Sequence, residues 1–387
     1  MAELRILGFC DHFRPEVGGG AERVAREVYG RLARSGARVT VVTTSGSASA
    51  WAGVEPGLDV VEVPTLDLSR VIGLQRSLSI GMLRALMPIA RSLRPDLLHA
   101  NSLEFETSRA AAALRARGRT PLVLTAHIAG FDAMAEPWRT LGRAHDRLIG
   151  ARLLRRADRL IAVSEAVGRH VRSLGAGQET LRIIPNGVDH EIFRPPVQPP
   201  FAREPRVLFV GRLVANKGAD LALEAFAAVL GDGRRAHLTL VGDGPLRASL
   251  VTRARDLGIG DSVAFAGRSS EVAADLRDAD VFVRPTTTEG MSLALLEAMA
   301  SGVCVVASDV PGNAELIRHG VNGLLCPPRD TRALADALLL AIDDEAGRRH
   351  LSDAAFEDSQ QYSWDRCAKE TLDVFLDAVR HRPGRSR

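Results

Sequence analysis

The chain has few of the residues that mark several large classes of protein. Its 387 residues include two tyrosines and three tryptophans, so aromatic platforms for stacked bases are scarce, and a net charge of +3 is too small to argue for nucleic acid. The four cysteines are scattered without a Cys-x-x-Cys pair, as in buried reduced thiols. We therefore expect a cytoplasmic protein with no nucleic-acid partner.

Long apolar runs are also missing. None reaches the roughly 18 residues that span a membrane, and no basic segment with an apolar core precedes the first strand. The helical region 74–93 has an apolar stripe, and five arginines lie within it or beside it: Arg70, Arg76, Arg84, Arg91 and Arg94. We favour an ordinary surface helix whose apolar face covers the sheet. Peripheral contact with the inner face of a membrane is the alternative.

Lysine is rare in this chain. Only Lys217 and Lys369 are lysines among the 50 basic residues. Since arginine is used wherever a basic residue is tolerated, a lysine within a motif indicates a need for a compact point charge. Lys217 follows Arg212 in the loop between a strand and a helix. Two cations beside a helix N-terminus suit a pyrophosphate, and a solvated loop pair is the alternative.

The chain length and the pattern of elements predict two domains. A chain of 387 residues exceeds one ordinary core. Strands alternate with helices in both halves, which indicates parallel sheets covered on both faces, an α/β class. Five of the 19 prolines lie between Pro195 and Pro205, where neither a helix nor a central strand can form. We expect domains over 1–194 and 206–362.

The stretch 284–308 reads as strand, polar turn, helix and strand. Ser292 is suited to cap the helix. The amides of Met291, Ser292 and Leu293 at the helix mouth would favour an anion by about 0.3 to 2 kcal/mol. Two carboxylates, Glu289 and Glu297, flank this mouth and suit hydroxyl donors. An anion site between two acids indicates a phosphorylated sugar.

Three other motifs are less specific. Glycines 18–20 follow the first strand and precede a helix, and a flexible surface loop explains them about as well as a phosphate or sugar contact. His127 ends a strand, where ligands of open sheets gather, although a structural role is the simpler interpretation. Asp278-Ala-Asp280 has the form of a metal motif, but we interpret it as a solvated helix end.

The Glu289-x7-Glu297 block resembles the donor-site signature of the retaining glycosyltransferases of family 4. Related motifs extend the resemblance over nearly the whole chain: Gly18–Gly20, Pro185–Asp189, Gly211-Arg212, Lys217-Gly218 and Gly242–Pro245. The resemblance implies a GT-B fold, with two Rossmann-like domains facing a cleft. The first domain would bind the acceptor, the second the nucleotide sugar, and a helix over 363–380 would return to the first domain.

The resemblance also implies the reaction. A hexose-type sugar would pass, with retention, from a nucleoside-diphosphate sugar to a sugar, lipid-linked or small-molecule acceptor in bacterial glycan or glycoconjugate biosynthesis. No metal and no cofactor other than the donor substrate would be needed. The alternatives are a nucleotide-sugar epimerase of the same fold, which needs acid and base groups on both faces of the sugar, and a catalytically silent nucleotide-sugar-binding protein.

Site residues follow from the same resemblance. Glu289 would hold donor sugar hydroxyls, Glu297 the ribose, and His127 the sugar. The residues expected to be catalytic are His127, Arg212, Lys217 and Glu289. Those expected to bind the donor are Gly19, Gly20, Gly211, Gly290, Met291, Ser292, Leu293 and Glu297.

Overall fold

A computed structural model describes residues 3–13, 19–45, 50–67, 77–78, 82–132, 136–196 and 204–381. The chain divides into two compact units. The first contains Met1–Gly130, Pro137–Asn186 and Trp364–Arg387, and the second contains Phe131–Glu136 and Gly187–Ser363. Residues 187–194 therefore belong to the second unit, whereas the proline pattern had placed them in the first domain.

The elements are numbered in chain order. The strands are β1 (Arg5–Phe9), β2 (Arg38–Ser45), β3 (Ala50–Glu55), β4 (Leu58–Pro64), β5 (Leu66–Asp67), β6 (Ser77–Leu78), β7 (Leu97–Ala100), β8 (Leu122–Ala126), β9 (Arg159–Ala162), β10 (Leu181–Ile183), β11 (Arg206–Val210), β12 (His237–Val241), β13 (Val263–Gly267), β14 (Val281–Arg284), β15 (Cys304–Ser308) and β16 (Leu324–Cys326). The α-helices are α1 (Gly20–Arg34), α2 (Met82–Leu93), α3 (Glu106–Arg117), α4 (Trp138–His145), α5 (Ala151–Arg156), α6 (Glu165–Ser173), α7 (Ala219–Gly231), α8 (Arg247–Asp256), α9 (Val272–Arg277), α10 (Leu293–Ala300), α11 (Pro311–Ala314), α12 (Thr331–Asp343), α13 (Glu345–Ser359) and α14 (Trp364–Arg380).

The first unit is built on a sheet with strand order β10-β9-β8-β7-β1-β2-β4-β3. Its strands are parallel except for β3, which runs antiparallel to β4. Strands β7 and β8 are buried along their whole length, as expected for apolar central strands with helices on both faces. The carboxyl ends of β1, β7 and β8 therefore meet at one edge, where ligands of such sheets bind.

Helix α14, at the C-terminal end of the described chain, packs in the first unit. Its Phe375 is fully buried and lies against the ring of His99 on β7, with the ring centroids 4.8 Å apart. Ion pairs join the helix to the rest of the unit, including Arg31 with Asp365 at 2.7 Å. The returning helix that the resemblance implied is thus confirmed.

The second unit contains a parallel sheet of order β13-β12-β11-β14-β15-β16. Its core is apolar, with Phe209, Phe226 and Phe282 completely buried. Strands β11 and β14 are neighbours, so the loops that follow them lie side by side at the carboxyl edge. These loops carry Arg212, Lys217 and Glu289.

The helical region predicted over 74–93 differs in the structure. Ser77–Leu78 is a short strand paired with β5, and α2 begins at Met82. Residues 68–76 and 79–81, including Arg70 and Arg76, lie outside the described residues. The buried residues Met82 and Leu86 form the inner face of α2, which agrees with the surface-helix interpretation.

Candidate functional site

Lys217 is placed by a tight turn after β11. Ala215–Lys217 forms a 3-10 turn that ends at Gly218, whose φ of 73° is left-handed. A Cβ on Gly218 would lie 2.0 Å from the carbonyl oxygen of Pro285, so only glycine fits. The Asn216 carbonyl accepts hydrogen bonds from the Thr286 hydroxyl at 2.7 Å and from the amide of Thr287 at 3.0 Å. These contacts fix Lys217 against the loop that follows β14.

Lys217 and Glu289 form an ion pair within this loop cluster. The Nζ of Lys217 lies 2.8 Å from Oε2 of Glu289, and their side chains are 22% and 11% exposed. Arg284, at the end of β14, places Nη2 3.4 Å from the other oxygen, Oε1, and its side chain is 5% exposed. Two cations therefore surround one carboxylate in a poorly solvated place.

The pKa shifts in this cluster have opposing causes. Burial raises the pKa of Glu289, but the charges of Lys217 and Arg284 outweigh it and lower the value to about 2. Burial also lowers the pKa of Lys217, and Glu289 partly opposes that shift. Arg212, which is exposed, lies near enough to add to the lowering for Lys217. Local positive charge thus exceeds the one carboxylate that Lys217 and Arg284 share, which suits an anionic ligand.

Arg284 is a functional candidate that sequence reasoning missed. Its Nη1 donates to the carbonyl of Val210 at 2.9 Å, so it also links β14 to the end of β11. Gly211 makes room for it, because a Cβ there would lie 2.6 Å from Nη1. A signal did exist in the sequence, since an arginine ends an otherwise apolar strand, but arginine is too common in this chain for that to stand out.

The segment Gly211–Leu213 is held by the Gly-Asp-Gly-Pro turn. The amide of Leu213 donates to the carbonyl of Asp243 at 3.0 Å, and the amide of Leu246 donates to the carbonyl of Leu213 at 3.1 Å. The turn therefore supports the loop that carries Arg212 and Lys217.

Helix α10 begins beside this cluster, as predicted. The Ser292 hydroxyl accepts from the amide of Leu295 at 3.3 Å, which is an N-cap. Gly290, Met291 and Ser292 are buried in the turn before the helix, and Leu293 is its first residue. Glu297 lies inside the helix and is 5% exposed. The structure thus joins Glu289 and the helix mouth in one loop.

In the first unit, Asn101 links His127 to the backbone that follows Gly19 and Gly20. The Nδ2 of Asn101 donates to the carbonyl of Ala21 at 2.8 Å, directly after the glycines, and its Oδ1 lies 3.3 Å from Nε2 of His127. Because Oδ1 can only accept, Nε2 of His127 carries the hydrogen. Asn101, which follows β7, was also missed from the sequence.

His127 is uncharged near neutral pH. Burial lowers its pKa to about 4, and burial together with the charge of His127 lowers the pKa of His99 to about 3. His99 is held by the hydroxyl of Tyr29 at 2.7 Å from Nδ1 and by Thr125 at 2.8 Å from Nε2. A neutral His127 is suited to hydrogen bonding with a hydroxyl rather than to neutralising phosphate.

The described part of the chain contains no cluster of three or more His, Cys, Asp and Glu side chains arranged to hold a metal ion. Asp278 forms an ion pair with the side chain of Arg206, and Asp280 accepts from the amide of Arg206 at 2.8 Å. Both aspartates of the Asp-x-Asp motif thus bind Arg206, the first residue of β11.

Two family models together cover most of the chain. The model described as glycosyl transferases group 1 matches residues 193–358, and the Glycosyltransferase Family 4 model matches residues 18–192. A D-inositol 3-phosphate glycosyltransferase of Xylanimonas cellulosilytica is 30% identical over 95% of this chain and 94% of its own length. The chain belongs to the group 1 glycosyltransferases of family 4. This glycosyltransferase uses a nucleotide sugar, as group 1 enzymes do.

Other relatives of the glycosyltransferase differ in their named reactions. A glycogen synthase of Mycobacterium tuberculosis is 29% identical over 97% of this chain and 95% of its own length. An exopolysaccharide phosphotransferase of Streptomyces coelicolor is 36% identical over 60% of this chain, which spans only 25% of that relative. The activities named for similar sequences thus vary widely.

Solved structures share the fold. Sucrose-phosphate synthase from Thermosynechococcus elongatus superposes with a TM-score of 0.83 at 23% identity, covering 97% of this chain and 99% of that one. HepE of Anabaena in complex with UDP-glucose gives a TM-score of 0.78 at 20% identity, covering 97% and 100%. The glycosyltransferase therefore has the GT-B fold that the motifs implied.

None of the described helices has the length and apolar character needed to cross a bilayer.

Proposed function

We propose that the glycosyltransferase transfers a hexose-type sugar, with retention of the anomeric configuration, from a nucleoside-diphosphate sugar to a sugar, lipid-linked or small-molecule acceptor. The observation that carries this proposal is the pairing of two cations, the half-buried Lys217 and the buried Arg284, with the single carboxylate of Glu289 beside the mouth of α10. Preorganised positive charge of this kind stabilises a leaving diphosphate.

Each group has a proposed role. Lys217, Arg212 and the amides of Met291, Ser292 and Leu293 bind the diphosphate. Glu289 accepts from sugar hydroxyls. Glu297 accepts from the ribose, Gly290 leaves room for the donor, and Gly211 leaves room for the guanidinium of Arg284. Neutral His127 donates its Nε2 hydrogen to Asn101 and accepts at Nδ1 from a hydroxyl of the donor sugar.

Retention needs no protein nucleophile in this proposal. The bond between the anomeric carbon and the diphosphate oxygen breaks, and the acceptor oxygen bonds to that carbon on the same face. The leaving phosphate oxygen takes the proton of the acceptor hydroxyl. Lys217 and the helix amides stabilise the charge as it develops on the phosphate, which is the largest electrostatic contribution expected.

The donor screen is the direct test of this proposal. Purified protein is incubated with UDP-, GDP- and ADP-sugars, starting with UDP-glucose because HepE was solved with it, and with candidate acceptors. We expect release of one nucleoside diphosphate and an NMR-defined product whose anomeric configuration equals that of the donor. An inverted product would contradict retention, an epimerised nucleotide sugar would favour the epimerase, and binding without turnover would favour the silent binding protein.

We also propose that the reaction needs no divalent metal, because lysine, arginine and helix amides meet the phosphate charge. Transfer rates are measured before and after treatment with a chelator. Unchanged rates are expected. A strong loss of activity that only magnesium or manganese restores would contradict this part of the proposal.

A further inference from the structure

Arg284 makes contacts on two sides of the loop cluster. One guanidinium nitrogen, Nη1, donates to the Val210 carbonyl at 2.9 Å, and the other, Nη2, lies 3.4 Å from Oε1 and 3.5 Å from Oε2 of Glu289. The side chain is 5% exposed. This hydrogen bond to β11 holds the guanidinium in place, so Arg284 is a fixed cation beside Glu289.

Lys217 differs from Arg284 in how it is held. Its flexible side chain is 22% exposed, and it forms a short ion pair with Glu289 at 2.8 Å. A lysine ammonium can turn from one anion to another, because it is a point charge on a long stem. In the proposed function this ammonium binds the diphosphate, and Glu289 then loses its nearest cation.

A buried carboxylate that loses its cation is strongly destabilised. Glu289 would then take up a proton, which leaves it fewer acceptor sites, or turn away, and in either state it would hold sugar hydroxyls less well. The Thr286 hydroxyl, 3.4 Å from Oε2 of Glu289, adds no charge. Arg284 is the remaining buried cation in contact with this carboxylate among the described residues.

We propose that Arg284 is a positioning residue that keeps Glu289 ionised and oriented toward the donor sugar while Lys217 binds the diphosphate. The proposal rests on the proposed function, since it assigns Lys217 to the phosphates. Arg284 does not touch the reacting atoms. It acts through Glu289 alone, so removing it should have no further effect once Glu289 is gone.

Gly211 gives a second, independent observation. A Cβ at residue 211 would lie 2.6 Å from Nη1 of Arg284, and the next atom that it would meet is a ring carbon of Phe209 at 3.7 Å. The guanidinium of Arg284 therefore occupies the space that a side chain at residue 211 would need. Gly211→Ala should displace Arg284 and lower turnover as Arg284→Met does. Combining the two substitutions should lower turnover no further than Arg284→Met alone.

The first test needs no enzymatic activity. The protein is labelled with carbon-13 at the glutamate carboxyl, Glu289 is assigned with Glu289→Gln, and the carboxyl is titrated by NMR in Lys217→Met and in Lys217→Met with Arg284→Met. We expect the midpoint in the double variant to lie at least about one pH unit higher, because burial then acts without a compensating cation. Coinciding midpoints would overturn the proposal.

The second test uses transfer rates. Arg284→Met should lower turnover by about tenfold or more, Arg284→Lys should recover part of it, and the loss should vanish in the Glu289→Gln background. Arg206→Met, at an exposed arginine paired with Asp278, is the matched control and should be unaffected. An equal loss with and without Glu289 would show a packing role and overturn the proposal. If the wild type transfers no sugar, the proposed function fails, and the NMR titration still decides the role of Arg284.

Discussion

Glu289 and Glu297 are both buried carboxylates, but their surroundings give them different tasks. Glu289 lies in the loop against Lys217 and Arg284, whereas Glu297 lies within α10. A ribose contact is made equally in the ground and transition states. Glu297→Gln should therefore raise the Michaelis constant for the donor and leave turnover nearly unchanged. Steady-state kinetics with a saturating acceptor measures both, and a fall in turnover at unchanged Michaelis constant would contradict the ribose role.

His127 should make stability depend on pH. Its pKa is lowered to about 4 in the folded protein, against about 6.5 when unfolded. The unfolded chain therefore binds the proton first, and stability is full above pH 6.5 and falls as the pH drops toward 4. Denaturant unfolding at several pH values should show a shallower slope in this window for His127→Gln. His99, with a pKa of about 3, keeps part of the slope in that variant. An identical slope would contradict a half-buried, neutral His127.

Single residues were predictable where a motif or composition made them unusual. Lys217 stood out as one of two lysines, and Glu289 and Glu297 stood out by their spacing at a helix mouth. Arg284 and Asn101 did not, because their importance lies in contacts between neighbouring strand ends. Those contacts depend on strand order, which local sequence does not contain.

The turn that carries Lys217 is the element on which the site depends. Gly218→Ala would add both a left-handed alanine and a Cβ 2.0 Å from the Pro285 carbonyl. We expect the free energy of unfolding to fall by about 1 to 3 kcal/mol from backbone strain, more once the clash is included, together with transfer activity. Gly233→Ala is the matched control, because Gly233 has a φ of 83° with nothing within 4 Å. Equal losses in the two variants would show that the contact with Pro285 is unimportant.

Helix α2 tests the membrane alternative. Its arginines Arg84 and Arg91 are exposed, while Met82 and Leu86 are buried within the unit. Part of the apolar face is thus already covered, so we expect weak binding to anionic liposomes at most. Arg84→Glu with Arg91→Glu should leave flotation with such liposomes unchanged. Strong wild-type binding that this double variant abolishes, at unchanged thermal stability, would favour the membrane.

Most elements could be predicted from apolar runs and glycine or proline signals, but their ends were less certain. Helix α3, for example, starts at Glu106. The reason is a cap from a distant residue, since the carboxylate of Asp11 accepts from the amides of Glu106 at 3.1 Å and Thr107 at 3.2 Å. Strand β3 and the helices between Trp138 and Arg156 were not predicted at all.

The two units of the whole molecule were expected from length and from the proline cluster. The contacts within each unit show that the chain passes from the first unit to the second between Asn186 and Gly187. Val188 pairs with Tyr362 through a 3.1 Å hydrogen bond, and the carbonyl of Ile192 accepts from Arg277 at 3.2 Å. The segment before the prolines is therefore held by residues far ahead in the chain, which composition cannot reveal.

Calorimetry tests the claim that Lys217 binds the diphosphate of a nucleotide sugar. Dissociation constants for UDP, GDP and ADP are measured with the wild type, Lys217→Ala, Lys217→Arg and Lys369→Ala. Lys369, the other lysine, is exposed on α14 and is the control. We expect one nucleotide to bind the wild type and Lys369→Ala alike, Lys217→Arg more weakly, and Lys217→Ala about tenfold or more weaker. An unchanged dissociation constant in Lys217→Ala, with the fold confirmed by circular dichroism, would contradict the claim.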